Sequence, residues 1–520
     1  MKYQRIQLLI PVFMLLTLSL FSKGQRDGAE DKLSQKSETT VNIPQFSILI
    51  SEIPEETEFF PGRDDPEMMV FYQLFEGLVV ENPESCEIET ALAEDWEFLE
   101  EGQVIRFRLK TVLWSDGTPV TAEDFRTSWL RMLELEEKTA KPFISLFIKD
   151  KGSEALRVLS DNTLEIEFNR PYPFALRLLC EPSFFLYPSS FFELENYSPQ
   201  LLATIPSSSA YTLKPSFSDD KSFLLTKRKN YHENRGPETL KFTECSSEEA
   251  LSLYTAAKAQ WLTSYVFPVQ KLSELEYRYD FSAPSGRTSY FYILNRMHSP
   301  LGNSGLRREL VEVVDTELLV QDLLRGPQQP AYSLIPGSFY KKEASSLRWP
   351  VEPEEEFEAA GKESPLIFIY PVEEGHRKVA EYLIALWYEK SGIPVEGRSM
   401  DWLDFLQARD RGEYDIALGG WTAQYNDPHS FLSLFLTGSL FRYPGSGNND
   451  FDKLILEAEL LPEGAAREKI QYEAESLLLH RDNEILPLFF TTFPQLLNTR
   501  EFKGIGKNPS APQPLKFLHN

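Results

Sequence analysis

The chain has 520 residues, a formal net charge of −26 and 42% apolar residues, which is typical of a soluble globular protein of about two to four domains. The acidity, with no cluster of five or more lysines and arginines, excludes a nucleic-acid-binding protein, because that function needs a basic surface. The same composition excludes collagen, coiled-coil arrays, global disorder and a membrane protein with several spans.

Residues 1–24 have the pattern of a cleavable secretory signal peptide. A positive region with Lys2 and Arg5 precedes an apolar run of 16 residues, shorter than the roughly 20 residues of a spanning helix. The segment contains no cysteine, so lipoprotein-type acylation of a new N-terminus is not expected. We expect a periplasmic protein in which 25–44 is a flexible leader, and an uncleaved N-terminal anchor is the alternative.

Alternating apolar residues predict half-buried strands over 105–109 and 164–168. Between them, a Ser-Asp-Gly-Thr turn at 115–118 precedes a helix, which begins at Thr121 with Asp124 as its reciprocal cap. The apolar face of this helix carries Phe125, Trp129, Met132 and Leu133.

The rest of the chain alternates predicted strands and helices. Strands are predicted near 223–226 and 240–243 and over 290–294, a helix over 306–324, and an acidic surface loop over 343–364. The order strand, helix, strand, helix, strand then indicates an α/β lobe, with elements at 366–370, 376–390, 394–399, about 402–411 and 415–418. A helix over 465–480 and a final strand over 485–490 complete the prediction.

No catalytic or metal-binding motif is present. The chain lacks HExxH, GxSxG, a Walker loop and GxGxxG, and its six histidines lie far apart in sequence. Cys86, Cys180 and Cys245 have no zinc-type spacing and allow one disulfide or none. We therefore expect no enzyme, no catalytic residues, no bound metal and no cofactor.

Four stretches resemble the family 5 extracellular solute-binding proteins, the oligopeptide-, dipeptide- and nickel-binding components of ABC importers. Residues 91–129 read ALAEDWEFLEEGQVIRFRLKTVLWSDGTPVTAEDFRTSW, which is similar to the signature segment of that family. LFEGLV at 74–79, the segment 290–336, and the tract GGWTAQYNDPHSF within 376–435 agree in order. The resemblance covers roughly 45–500.

The resemblance implies an α/β fold of the periplasmic-binding-protein type, a class II hinged clamp of two lobes with an additional α+β domain inserted in lobe one. The implied division is lobe one over 45–75, 190–285 and 487–520, the extra domain over 76–189, and lobe two over 286–486. The implied function is capture of peptides or peptide-like solutes and their delivery to an ABC permease by a monomer. In such proteins the ligand lies extended and pairs through its backbone.

The resemblance also implies the ligand-binding residues Trp402, Arg409, Trp421, Gln424, Tyr425 and Arg63. Gln424 stands where peptide-binding members carry an acid that pairs with the ligand's α-ammonium, and Leu418 replaces an arginine. An amide cannot neutralise an ammonium, and a buried unpaired charge is costly. We therefore expect a modified, γ-linked or amino-blocked peptide, unless a nearby carboxylate such as Asp427 replaces the missing acid.

Two other functions on the same scaffold are open. A nickel-type metal-chelate receptor would need support from His429 or His376. A periplasmic sensor or chaperone would dock a signalling partner in its closed form, and fold alone does not separate it from an importer component.

Overall fold

The computed structural model describes residues 43–53, 66–139, 143–149, 154–214, 221–340, 364–439, 442–506 and 513–520. The predicted signal peptide, Arg63 and most of the acidic loop at 343–364 lie outside these residues. Within them, no helix combines the length and apolar character that a membrane span requires.

The first sheet gathers strands from both ends and the middle of the described chain. Its strands are β1 (Phe46–Ile50), β8 (Tyr211–Leu213), β9 (Ser222–Lys227), β10 (Thr239–Glu244), β11 (Trp261–Leu262), β12 (Phe281–Ser282) and β20 (Gln495–Leu497). Their order is β12-β20-β11-β1-β10-β9-β8. The central strand β1 is buried throughout and pairs in parallel with both β10 and β11.

The second sheet is formed by strands from the later part of the chain. They are β13 (Ser285–Leu294), β14 (Gln329–Pro330), β15 (Leu366–Pro371), β16 (Val395–Met400), β17 (Ile416–Leu418), β18 (Trp421–Thr422) and β19 (Ile485–Thr492). The order is β14-β19-β13-β17-β15-β16, and β18 pairs separately with β13. The parallel pairing of β15 with β16 and β17 confirms the predicted α/β unit.

A smaller antiparallel sheet and a hairpin lie between the first strands of the first sheet in the sequence. The sheet has the order β4-β5-β7-β6, and the hairpin joins β2 to β3. Their strands are β2 (Val79–Glu81), β3 (Ile88–Thr90), β4 (Ala93–Leu99), β5 (Val104–Leu109), β6 (Leu156–Ser160) and β7 (Thr163–Glu167). All six strands lie within residues 76–189.

Helices cover the sheets. The earlier ones are α1 (Pro66–Leu74), α2 (Ala122–Thr139), α3 (Ile144–Phe147), α4 (Ala175–Leu178), α5 (Pro199–Leu202), α6 (Ser247–Thr255) and α7 (Leu272–Leu275). The later ones are α8 (Ser304–Glu312), α9 (Thr316–Leu318), α10 (Glu374–Ser391), α11 (Trp402–Asp410), α12 (His429–Leu432), α13 (Asn449–Glu459) and α14 (Ala465–Ser476). The π-helical turns Leu319–Leu324 and Leu477–Arg481 extend α9 and α14.

The capped helix predicted at Thr121 is confirmed. The Thr121 hydroxyl accepts from the Asp124 backbone N–H at 3.3 Å, and the Asp124 carboxylate accepts from the Thr121 N–H at 2.7 Å. Phe125, Trp129 and Met132 on its apolar face are buried. The capping box and the helical spacing were therefore sufficient to place α2 and its inner face.

The single helix predicted over 306–324 is wrong, because the chain breaks between α8 and α9. The Asn303 side chain caps the first helix by accepting from Leu306 N–H at 3.1 Å. The Asp315 side chain starts the second by accepting from Leu318 N–H at 3.0 Å. An aspartate preceded by two β-branched valines favours such a restart over an uninterrupted helix.

Cys86, Cys180 and Cys245 are half-buried, and none of the three forms a disulfide. Of the two arrangements that the odd count allowed, the structure therefore has no disulfide.

The buried apolar residues form two large cores. One joins the first sheet to the small antiparallel sheet, and the other lies under the second sheet. Tyr425, which follows β18 of the second sheet, is buried in the first of these cores. The segment after β18 therefore crosses from one body of the protein to the other.

Candidate functional site

The ligand tract is the segment 419–431, which follows β17 and begins with two glycines. These glycines determine the path of its backbone. A Cβ added at Gly419 would lie 2.3 Å from the Phe291 ring, and Gly420 has a φ of +154°. The chain then returns to β13, where Trp421 pairs with Ser289 and Thr422 with Thr288. Glycine at 419 is thus required for β18 to reach the edge of β13.

One wall of the site comes from α11, whose first residue is Trp402 and whose last turn contains Arg409. Trp402 is 48% exposed. The Arg409 guanidinium lies over the rings of Phe405 at 5.6 Å and Tyr443 at 5.1 Å, as in cation–π contacts. The Tyr443 hydroxyl donates to the Gly420 carbonyl at 3.0 Å, which ties this wall to β18.

Arg409 retains hydrogen-bonding capacity. Its Nε is buried and has no partner among the described residues, and its Nη2 lies 3.5 Å from Asp410 Oδ1. The arginine side chain is 18% exposed, whereas Asp410 is 70% exposed. A largely buried guanidinium with one weak, solvated partner can accept a carboxylate from a ligand.

Gln424 and Tyr425 lie in different surroundings. The Gln424 backbone N–H donates to Ser430 Oγ at 2.9 Å, while its half-buried side chain has no partner among the described residues. Tyr425 is buried, stacks on Phe174 with centroids 5.0 Å apart, and shares a 2.7 Å hydrogen bond with His429. Gln424 is therefore free to contact a solute, and Tyr425 holds the tract from behind.

Asp427, the alternative acid, is already neutralised. Arg467 donates to its two carboxylate oxygens at 2.6 and 2.8 Å, and Gln471 donates at 3.2 Å. Burial alone would raise the pKa of Asp427, but Arg467 holds that pKa below its ordinary value. This aspartate is consumed by a structural ion pair and does not replace the acid missing at position 424.

Two other carboxylates, Glu181 and Glu81, contact residues next to the tract. Both belong to the small-sheet region, the segment 76–189 that contains the small antiparallel sheet. The Ala423 N–H donates to the Arg287 carbonyl at 2.9 Å, and the Arg287 side chain donates to Glu181 Oε1 at 2.8 Å. On the other side, Asn426 Nδ2 donates to Glu81 Oε1 at 2.6 Å. Burial raises the pKa of Glu181 to about 7, against the opposing effect of Arg287.

Glu81 and Glu181 also line a cavity, together with Arg287 and with Tyr72 from α1. Burial raises the pKa of Glu81 above its ordinary value, although Arg177 lowers it. Sequence reasoning missed both glutamates, because they are two of 79 acidic residues and lie far from the tract in sequence. Their surroundings, rather than any motif, distinguish them.

The histidines that a metal-chelate receptor would use are engaged elsewhere. His429 uses both ring nitrogens, with Tyr425 at 2.7 Å and with Glu459 at 2.8 Å. His376 contacts the Tyr290 hydroxyl at 2.6 Å, and burial lowers its pKa. Across the described part of the chain, no three His, Cys, Asp or Glu side chains form a group that could hold a metal ion.

The described residues thus form two seven-stranded sheets flanked by helices, with the edge strand β18 on the second sheet and the largely buried Arg409 on α11. Residues 87–441 match the bacterial extracellular solute-binding proteins, family 5. The match covers more than half of the chain, so this protein belongs to that family. The predicted resemblance is thereby confirmed.

Individual relatives support this family assignment and the fold. The periplasmic oligopeptide-binding protein OppA of Salmonella typhimurium is 27% identical over 476 residues, which cover 85% of this chain and 86% of that protein. The solved structure of the murein tripeptide-binding protein MppA in its unliganded open form is 22% identical, with a TM-score of 0.76 over 92% of this chain and 98% of that one. The predicted two-lobed α/β fold is confirmed.

A peptide complex provides a second structural comparison. Haemophilus influenzae OppA with the peptide RPPGFSPFR is 24% identical and has a TM-score of 0.62, over 92% of this chain and 99% of that one. This chain therefore superposes more closely on the unliganded open structure than on the peptide-bound one.

Proposed function

We propose that this protein is the extracytoplasmic solute-binding component of an ABC importer, and that it captures peptides or peptide-like solutes for delivery to the permease. The observation that carries the proposal is the edge strand β18. It pairs with β13 on one side, and no described strand pairs with its other side. An extended peptide can add to such an edge through its backbone, which gives affinity for many sequences.

The residues around this edge suit the two ends of a peptide. Trp402 and Trp421 provide aromatic surface, Arg409 binds a carboxylate, and Gln424 presents a neutral amide. Tyr425 acts by holding the tract in place, since it is buried. Arg63 remains a candidate from sequence alone.

The wider assignment rests on family membership and on the sequence. We assign export to the N-terminal signal peptide, with a free N-terminus rather than an acylated one. We also assign a lobe one built on the first sheet, an inserted domain over 76–189 and a lobe two built on the second sheet. The protein acts as a monomer without enzymatic activity and delivers its ligand to the permease.

Calorimetry with tri-, tetra- and pentapeptides tests the proposal. We expect micromolar or tighter binding of these peptides or of their N-acetylated or γ-linked analogues, and a loss of about 10- to 100-fold in Arg409→Ala, because removing one partner of a desolvated charge pair costs about 2 kcal/mol or more. Arg411→Ala is the matched control, since Arg411 is exposed and pairs with Glu413. Tight binding of a nickel chelate without peptide binding would contradict the proposal.

A further inference from the structure

Arg287 has an unsatisfied donor at the cavity described above. Its guanidinium donates to Glu181 Oε1 at 2.8 Å, and its side chain is only 15% exposed. Its Nε is buried and has no hydrogen-bond partner among the described residues. Because buried polar groups are nearly always satisfied in native proteins, this N–H indicates a place for an acceptor atom of a ligand.

The carboxylates of the cavity lining are neutralised. Each of the three glutamates among the described lining residues has a cationic partner within 2.9 Å, in the pairs Glu76–Lys516, Glu81–Arg177 and Glu181–Arg287. A cation in the cavity would therefore find no free counter-ion among these residues, and an anion would lie close to three carboxylates. Since a buried charge without a partner is costly, the lining favours a neutral group.

Most of the other lining residues are apolar. They include the aromatic residues Tyr72, Phe75 and Phe185 and, from β2, Val79 and Val80. The cavity has a volume of about 70 Å³, whereas one water molecule needs about 10–15 Å³ of such space. The cavity therefore suits a short apolar group that carries a hydrogen-bond acceptor.

The cavity adjoins the ligand tract just after β18. The Arg287 carbonyl accepts from the Ala423 N–H at 2.9 Å, and Gln424 is the next residue of the tract. Arg409, to which we assign the carboxylate of a peptide, is tied to the tract at Gly420, before β18. An extended peptide with its carboxylate at Arg409 therefore has its amino-terminal end on the side of Gln424 and the cavity.

We propose that the cavity receives the acyl group of an amino-blocked peptide, with the acyl carbonyl accepting from Arg287 Nε and the acyl chain packed against the apolar lining. The proposal rests on the proposed function and makes its ligand class more specific. The neutral amide of Gln424 then matches a terminus that carries no charge, and no acid is needed at that position. The amide N–H of the blocked terminus can donate to the Gln424 side-chain oxygen.

A series of acyl groups on one peptide is the first test. In calorimetry, N-acetyl-trialanine should bind at least about tenfold more tightly than trialanine, because the ammonium of trialanine would lack a counter-ion. Each methylene group added from acetyl to butanoyl should improve affinity about fourfold, and the gain should end before octanoyl, which exceeds the cavity.

Three results of this series would overturn the proposal. The first is equal binding of trialanine and N-acetyl-trialanine. The second is a gain that continues at the same rate through octanoyl, which would assign the acyl chain to an open surface. The third is tighter binding of N-succinyl-trialanine than of N-butanoyl-trialanine, which would assign the cavity to a carboxylate.

Substitutions in the lining provide the second test. Val80→Phe fills the cavity, so the ratio of N-butanoyl-trialanine affinity to trialanine affinity should fall at least about tenfold. Leu159→Phe is the matched control, since Leu159 is 52% exposed on β6, and should leave the ratio unchanged. Arg287→Lys keeps a cation beside Glu181 but lacks the Nε–H, so the ratio of N-acetyl-trialanine affinity to trialanine affinity should fall about tenfold.

The outcomes separate the two proposals. If peptides bind but neither Val80→Phe nor Arg287→Lys changes these ratios, or if only a γ-linked tripeptide binds, the acyl site is wrong while peptide capture stands. If the wild-type protein binds neither trialanine, nor its N-acyl derivatives, nor a γ-linked tripeptide, peptide capture itself is overturned, and the acyl site with it.

Discussion

Arg467 holds Asp427 in a buried bidentate ion pair, with nitrogen–oxygen distances of 2.6 and 2.8 Å. The Arg467 guanidinium also lies over the Phe174 ring at 5.5 Å. The pair connects α14 to the segment that follows Gln424, and the ring contact connects it to the small-sheet region. This relationship fixes the ligand tract and removes the nearest aspartate from ligand binding.

Asp427→Asn should therefore act on stability. The substitution leaves the Arg467 charge buried without a counter-ion, and we expect a loss of about 3–5 kcal/mol in the free energy of unfolding. Urea unfolding followed by circular dichroism measures it. Glu413→Gln, at an exposed pair with Arg411, is the control and should leave the transition in place. An unchanged midpoint in Asp427→Asn would show that the pair is not structural.

Gln424→Asp should change ligand preference. A carboxylate at this half-buried position adds a charge that a ligand ammonium can pair with, whereas the native amide offers only a hydrogen bond. We expect affinity for trialanine to rise roughly tenfold and affinity for N-acetyl-trialanine to stay the same or fall. Competition calorimetry with both peptides measures the ratio. Identical gains for the two peptides would argue against a tract that receives the amino-terminal end.

Gly419→Ala should destabilise the protein and displace the backbone of the ligand tract. The added Cβ would lie 2.3 Å from the Phe291 ring, and such overpacking costs about 1–3 kcal/mol. Peptide affinity should fall as well, because β18 follows directly. Gly375→Ala in α10 is the matched control, since nothing lies within 4 Å of its Cβ position and alanine favours a helix. Thermal unfolding of the two variants should shift in opposite directions.

Stability should depend on pH through Glu181. Burial raises its pKa from an ordinary 4.5 to about 7 in the folded protein, so between these values the folded state binds more protons than the unfolded state. Stability therefore falls as pH rises from about 4.5 to 7, by on the order of 3 kcal/mol for this one group. Glu475, whose pKa burial also raises to about 7, contributes a fall in the same direction.

Glu181→Gln isolates the first contribution. Urea unfolding at pH 5 and pH 7.5 should show a smaller pH dependence in this variant than in the wild type, while the Glu475 contribution remains in both. A variant with the full wild-type dependence would show that the folded protein does not hold Glu181 at a raised pKa.

Local patterns in the sequence predicted much of the fold. The strand over 105–109 and the cap at Thr121 depend on neighbouring residues, and both are confirmed. The break before Asp315 was missed because apolar spacing continued through it. The final strand, predicted over 485–490, runs to Thr492 within the second sheet, because pairing with β13 extends it beyond the expected lobe boundary at 486.

The site was less predictable, because its contacts join distant parts of the chain. The family pattern selected Arg409 and Gln424, and both keep unengaged polar atoms in the structure. It could not show that Tyr425 is buried against Phe174, or that Arg467 consumes Asp427. Glu181 could not be selected from the sequence, because only the fold brings it into contact with Arg287, which lies 106 residues further along the chain.

Native mass spectrometry of the wild-type protein as purified tests the central claim, capture of a peptide-like solute, most directly. We predict a population heavier than the polypeptide by the mass of a short peptide or modified peptide. This excess should disappear on denaturation, and the released molecule should give amino-acid fragments. A released molecule without amino acids, such as a metal chelate, or a protein that shows no excess and no uptake of added tri- to pentapeptides, would contradict the account.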